Sequence, residues 1–200
     1  MGVDRFDAGR QPAGRAPAPG RLGLVQAFLN SFWDLDAGGV DRWTDPSAYA
    51  AWLRERGFEE TGNVTAADLA RAIELREALR ALALANHDDA AAPEVEATLD
   101  HIARDVAPGA GLTPRFGAHT PGLDVAGDGP DAALALVLGV VFAARLDGTW
   151  PRLKACPHAH CGWAFYDRSR NRSSQWCSMR ICGNRTKGAR HRERTSAARQ

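Results

Sequence analysis

The feature that most limits what this chain can fold into is the placement of its four cysteines. All lie between residues 156 and 182, with Cys156 and Cys161 forming one C-x4-C pair, Cys177 and Cys182 a second, and fifteen residues between the pairs. Two close pairs at this separation can converge on one tetrahedral ion, each supplied by a tight turn, and a shell of four thiolates leaves no open position for catalysis. The pattern predicts one structural zinc ion held by Cys156, Cys161, Cys177 and Cys182. Two disulfides are the main alternative. They are disfavoured because the cysteines sit in one segment of a chain that shows no secretion signal. An iron–sulfur cluster uses similar ligands, but the ferredoxin runs are spaced differently. His158 and His160 fall inside the first pair and could replace a thiolate, yet four cysteines already complete the set, so both read as surface residues of a knuckle. A module of about 45 residues has too little core to fold unaided, and metal binding supplies the missing free energy.

Charge divides the chain in the same place. Residues 151 to 200 carry twelve Lys or Arg against Asp167 and Glu193, a net charge of +10, which leaves residues 1 to 150 at −9 within an overall +1. A basic module on an acidic body suggests a polyanionic partner if the charge collects on one face, whereas a solvated basic helix docked on the acidic body is the plainer alternative. No N-terminal stretch joins a basic region to an apolar run of signal length, so a cytoplasmic protein is expected. The most apolar run, Ala132 to Ala144, falls well short of the roughly 20 residues a bilayer requires and reads as a buried helix. No membrane partner is expected.

Residues 1–20, rich in Gly and Pro, are expected to be a flexible leader. Residues 21–149 then read as a mainly helical domain. Leu22, Val25, Phe28, Leu29, Phe32 and Trp33 recur at helical intervals. Thr44 or Asp45 before Pro46 starts a second helix lined by Tyr49, Trp52 and Leu53 and stopped at Gly57. Thr65 with Asp68 forms a capping box for the longest helix, whose stripe Leu69, Ile73, Arg76, Leu79 and Leu82 contains one polar intruder. Pro93 opens another helix, Leu112 to Val125 reads as a β-hairpin, and Asp128 to Pro130 caps the apolar helix. His87, His101 and His119 show no metal or triad spacing and read as surface or capping residues.

In the module of residues 150–195, Gly162 to Asp167 alternates like a strand and Ser173 to Trp176 is its candidate return strand, followed by a helix from Ser178 through Arg194; residues 196–200 are a tail. A knuckle, a hairpin and a helix carrying the last ligands make a treble-clef-like zinc finger. The expected fold class is α+β: a mainly helical N-terminal domain with a small β-hairpin element, then this finger. Arg168, Arg170 and Arg172 alternate along the hairpin and would project to one side in extended geometry. Arg180, Arg185, Lys187, Arg190 and Arg192 follow on the helix, where such side chains suit phosphate contacts and guanine edges. Asn184 as a local cap and Arg185 as a packed residue are the competing structural readings.

The stretches Tyr166-Asp167-Arg168-Ser169-Arg170-Asn171-Arg172, Trp176-Cys177-Ser178-Met179 and Cys182-Gly183-Asn184-Arg185 resemble the CGNR zinc-finger family. Where that family usually has Arg-Arg before the Trp-Cys pair, this chain has Ser174-Gln175, two positive charges fewer. Phe28-Leu29-Asn30-Ser31, Trp52 to Gly57 and Leu75 to Arg80 resemble the ABATE domain that accompanies this finger in bacterial proteins described as stress-induced transcription regulators. The resemblance implies a DNA-binding regulator whose N-terminal domain senses a ligand or mediates homodimerisation. The other reading is a zinc-stabilised module for protein or RNA without sequence-specific DNA binding. Asn30 and Arg76, polar groups on or beside apolar helical faces, are the candidate ligand-binding residues. No catalytic pair, phosphate loop or open metal site suggests an enzyme.

Overall fold

The computed structural model describes residues 6–33, 39–59, 61–88, 93–116 and 121–197, so His119 lies outside the described residues. Helix α1 (Leu22–Leu29) is buried on every side, including Gln26. The stripe expected to continue through Phe32 and Trp33 stops here, and Phe32–Trp33 instead forms a short strand, β1, antiparallel to β2 (Val40–Asp41). The cause is competition for hydrogen bonds. Ser31 Oγ donates to Phe28 O at 2.8 Å, and the Asn30 carboxamide bonds the backbone of Ala164, so neither residue favours another helical turn.

Helix α2 (Pro46–Glu55) starts as its sequence dictates, with the Asp45 carboxylate accepting from Ala48 N at 2.9 Å and Pro46 in the first turn. It delivers Tyr49 and Trp52 to Phe28 and Trp43, whose rings meet edge-on or tilted at 4.9 to 5.8 Å. Helix α3 (Ala66–Ala85) opens on the Thr65–Asp68 capping box and buries Ala72, Leu75, Arg76, Leu79, Leu82 and Ala83. Helix α4 (Pro93–Ala110) buries Leu99, Ile102 and Val106, and the hairpin of β3 (Leu112–Phe116) and β4 (Pro121–Val125) pairs Leu112 with Val125. The apolar run is helix α5 (Pro130–Leu146), with most of its residues in the core. No helix among the described residues is long and apolar enough to cross a membrane.

The C-terminal module begins with β5 (Leu153–Ala155), antiparallel to β6 (Ala164–Tyr166) with Leu153 opposite Tyr166 and Ala155 opposite Ala164. This corrects the expected hairpin: the partner of residues 164–166 lies before them, and residues 173–176 are not a strand. Ser173 N donates to Ser169 Oγ and Ser174 N to Asp167 Oδ2, both at 2.9 Å, which draws that segment into a turn. A helical turn, Met179–Gly183, then opens onto helix α6 (Asn184–Ala197). The described residues are thus mainly helical, with three two-stranded sheets among them, and the cysteines are gathered near the C-terminus.

Residues 6–20 follow the surface of both parts, with Gln11 and Ala18 buried and one short helical turn at Pro12–Gly14. Gln11 Oε1 accepts from Gln26 Nε2 at 2.8 Å and from Trp163 Nε1 at 3.1 Å, so this segment joins α1 to the C-terminal module.

Candidate metal centre and basic surface

The β5–β6 hairpin carries the first cysteine pair in its connecting loop, where Cys161 N donates to His158 O at 3.0 Å and Cys156 N to Trp163 O at 2.9 Å. The second pair sits on the turn before α6. Ser178 caps that turn, accepting from Ile181 N at 3.3 Å, while Cys182 N donates to Ser178 O at 2.9 Å. Space is tight at Gly183, where a Cβ would stand 3.0 Å from Trp176 Cδ1 and push the Met179 side chain aside. The four Sγ atoms lie within 4.8 Å of one another, all buried. Cys161–Cys177 and Cys177–Cys182 are each separated by 3.6 Å. Sulfurs about 2.3 Å from a central zinc in a tetrahedron stand about 3.8 Å apart, so this arrangement fits one zinc ion.

Electrostatics make the same point. Hydrogen bonds from Cys161 and Cys177 pull the Cys156 thiol far below its usual range, while donation to Cys156 pushes Cys161 and Cys177 up and burial pushes Cys182 up. Four thiolates this close repel one another, and a divalent ion relieves that repulsion by binding all four. Among the described residues, the small core around the cysteines adds Phe165, flanked by Trp163, Trp176 and Ile181. His158 and His160 lie outside the sulfur cluster.

The module is held to the body by polar side chains reaching backbone. Asn30 Nδ2 donates to Ala164 O at 2.9 Å and Asn30 Oδ1 accepts from Ala164 N at 2.7 Å. Asn86 Nδ2 donates to Trp150 O and Leu153 O, His87 Nε2 bonds Ala155 O at 2.7 Å, and Arg80 donates to Gly162 O, Leu29 O and Phe32 O. Arg15 lies over the Phe165 ring at 4.7 Å and donates to Cys177 O at 3.0 Å and Trp176 O at 3.1 Å. The guanidinium therefore holds the segment that carries the third cysteine. Nothing in the sequence pattern marked Arg15, Arg80 or Gln26 for these tasks.

The two residues singled out as ligand candidates are not brought together by any shared bond. Asn30 holds Ala164, whereas Arg76 pairs with Asp41 at 2.8 Å, donates to Ser31 Oγ at 3.1 Å and lies 4.9 Å from the centre of the Trp43 ring. His101 stands on α4 at 3.5 Å from Asp105.

Arg168, Arg170 and Arg172 are exposed, but on a turn, so strand alternation is not what exposes them. Arg172 N donates to Ser169 O at 3.3 Å, and Arg172 adopts φ +51°. Arg168 also donates to Pro17 O at 2.9 Å. Arg180 is exposed on the metal-bearing turn, Arg185, Lys187 and Arg192 are exposed on α6, and Arg190 lies on the same helix. In the body, Arg21, Arg42, Arg71, Arg76, Arg80 and Arg145 each face a carboxylate. Among the described residues, Arg170, Arg172, Arg180, Lys187 and Arg192 face none, and the module's Asp167 is buried against Lys154.

Residues 152–195 match the family model of the CGNR zinc finger. Residues 22–155 match that of ABATE, whose description reads "Putative stress-induced transcription regulator". No curated protein matches the chain. The two matches follow one another along the chain and meet at β5, the strand that joins the helical body to the metal-binding hairpin. Since the longer match spans more than half of the sequence, the chain belongs to the ABATE family, with a CGNR zinc finger at its C-terminal end.

Proposed function

We propose that this protein is a DNA-binding transcription regulator whose finger, residues 150–195, contacts the duplex, and whose body, residues 21–149, senses a small ligand or mediates homodimerisation. One observation carries the reading: six of the body's arginines, Arg21, Arg42, Arg71, Arg76, Arg80 and Arg145, each face a carboxylate, whereas among the described residues Arg170, Arg172, Arg180, Lys187 and Arg192 of the finger are exposed without one. Side chains of this kind neutralise phosphates and release counterions. We read the knuckle, hairpin and helix as a treble clef, with α6 and the arginine turn as its contact surface. Zinc has no catalytic part in this reading and no enzymatic step is assigned; the protein acts in the cytoplasm, where bacterial DNA lies.

For ligand sensing, a molecule reaching Asn30 or Arg76 would have to displace Ala164 or Asp41. The roomier site is a cavity of about 770 Å³ between residues 6–8, residues 17–22 and α5, floored by Leu22, Leu123, Val140 and Ala144. Stabilisation by a compound in a thermal-shift screen, lost on Val140→Trp, would support sensing there.

DNA selected from a random pool, followed by affinities over a salt series, tests the main reading. A preferred sequence bound with a slope of log K against log salt near about −4.5, as five phosphate contacts require, supports it. Equal affinity for any polyanion would transfer the finger to the alternative, a general protein- or RNA-interaction module.

A further inference from the structure

Inside the finger, under the arginine turn, is a buried ion pair to which the metal site and the family matches assign no role. Lys154 is 1% exposed and Asp167 0%, and Lys154 Nζ stands 3.2 Å from Asp167 Oδ2. Two charges withdrawn from water in this way add little or nothing to stability over an apolar pair of the same shape, so the reason for them lies in what they organise. Both partners turn to the same stretch of backbone. Asp167 Oδ1 accepts from Ser169 N and Oδ2 from Ser174 N, each at 2.9 Å, so one carboxylate ties both ends of the turn. Lys154 Nζ donates to Arg172 O and, at 3.4 Å, to Ser174 O. Arg152 completes the base, donating to Asp167 O at 3.0 Å and Ser169 O at 2.9 Å.

The effect is visible at Arg172. Its left-handed backbone, φ +51°, is a conformation that a residue with a Cβ keeps only where surrounding bonds impose it. Here the imposed carbonyl meets the buried ammonium while the side chain stays exposed. Burial raises the Asp167 pKa, but the Ser169 and Ser174 donors outweigh it and hold the group well below the ordinary carboxylate range, so it stays ionised beneath the turn.

We infer that Lys154 and Asp167 are positioning residues for nucleic-acid binding: the buried pair moulds residues 168–174 into a preformed site for the phosphodiester backbone of duplex DNA, with Arg170 and Arg172 as the contacting groups. This rests on the DNA reading above and adds to it. The arginines act from a turn already ordered in the free protein, so the ordering cost of that backbone is not paid on binding.

The test uses the zinc-loaded full chain, a short fluorescein-labelled duplex and a salt series. Arg170→Ala should reduce the steepness of the salt slope by about 0.9, as loss of one phosphate contact requires. Asp167→Asn and Lys154→Met keep every surface charge, so their slopes should match the wild type while affinity per zinc-loaded molecule drops about tenfold or more, the size expected when the backbone of even one residue must be ordered on binding. A purely structural pair would lower thermal stability and leave affinity per folded molecule unchanged, which would overturn the inference. Hydrogen exchange on the wild-type protein decides the matter even if both variants misfold. Protection of the Ser169 and Ser174 amides before DNA is added supports a preformed site; protection that arises only with DNA overturns it. A wild-type chain that binds no duplex at any salt concentration refutes the DNA reading itself, and the exchange result still reports separately whether the turn is preformed.

Discussion

Truncating Asn30 should loosen the finger from the body by an amount its surroundings set. Asn30 is 7% exposed and Ala164 0%, and the side chain makes two bonds to that one residue, donating to its carbonyl at 2.9 Å and accepting from its N–H at 2.7 Å. In Asn30→Ala each lost bond costs about 1 kcal/mol net, and a buried donor left without an acceptor costs a further 1 to 3 kcal/mol or so. The Ala164 carbonyl keeps its bond from Gln26 Nε2 at 3.1 Å, so only the N–H is stranded. The total is about 3 to 5 kcal/mol, which for a chain of this length lowers the melting temperature by roughly 6 to 20 °C. Asn86→Ala is the matched control, since Asn86 donates to two carbonyls and strands no donor; its cost should stay nearer 2 kcal/mol. Asn30→Asp should be at least as damaging as Asn30→Ala at neutral pH, because it sets a carboxylate oxygen against the Ala164 carbonyl. Calorimetry of the zinc-loaded proteins reads all three. A loss under about 1 kcal/mol for Asn30→Ala, or an Asn30→Asp variant as stable as wild type, would refute the reasoning.

Three further outcomes follow from the same structure. Cys177→Ser should abolish zinc binding, read as metal content by mass spectrometry, together with the amide protection of residues 153–183; a variant that keeps one equivalent would refute the four-thiolate site. Arg15→Ala should speed zinc transfer to a chelator by about tenfold, as loss of a partner behind a metal ligand does, whereas an unchanged rate would refute its role at Cys177. Burial raises the Asp41 pKa, but hydrogen bonds from Arg76 and Trp43 outweigh it and the net is a lowered value; Asp68 is likewise lowered by Thr65 and Arg71. A depressed carboxylate contributes stability fully present above its unfolded value, near about 4, and lost as pH falls through its folded value. Urea unfolding should therefore show Asp41→Asn less stable than wild type at pH 7, with the gap closing below about pH 4; curves that stay parallel would refute the assignment.

The readings that succeeded from sequence were those governed by local chemistry. Asp45-Pro46 and Thr65-Asp68 start helices because a short acceptor side chain reaches backbone N–H groups three residues on, wherever the helix later packs. The Ala132–Ala144 run reads as a buried helix from its length and composition. The cysteine spacing pointed to one metal site because two short turns are enough to bring four sulfurs together. The failures were cases of competition. Ser173 to Trp176 read as a return strand, but β6 pairs with residues 153–155, while a carboxylate seven residues upstream binds the Ser174 amide. Asp167-Arg168-Ser169 did contain a signal, an aspartate placed to accept from an N–H two residues on, and it outweighed the alternation of the arginines.

The sequence by itself determined the metal-binding pattern, the helical body and the charge division between body and finger. Each depends on residue type and short spacing alone. Tertiary structure decided which charges remain open to a partner and which are spent inside. Arg76 and Lys154 are, in sequence, cations like Arg170 and Arg172, yet the first two meet Asp41 and Asp167, from segments 35 and 13 residues away. A charge is neutralised or left exposed by what the fold brings within a few ångströms of it, and no local pattern contains that distance.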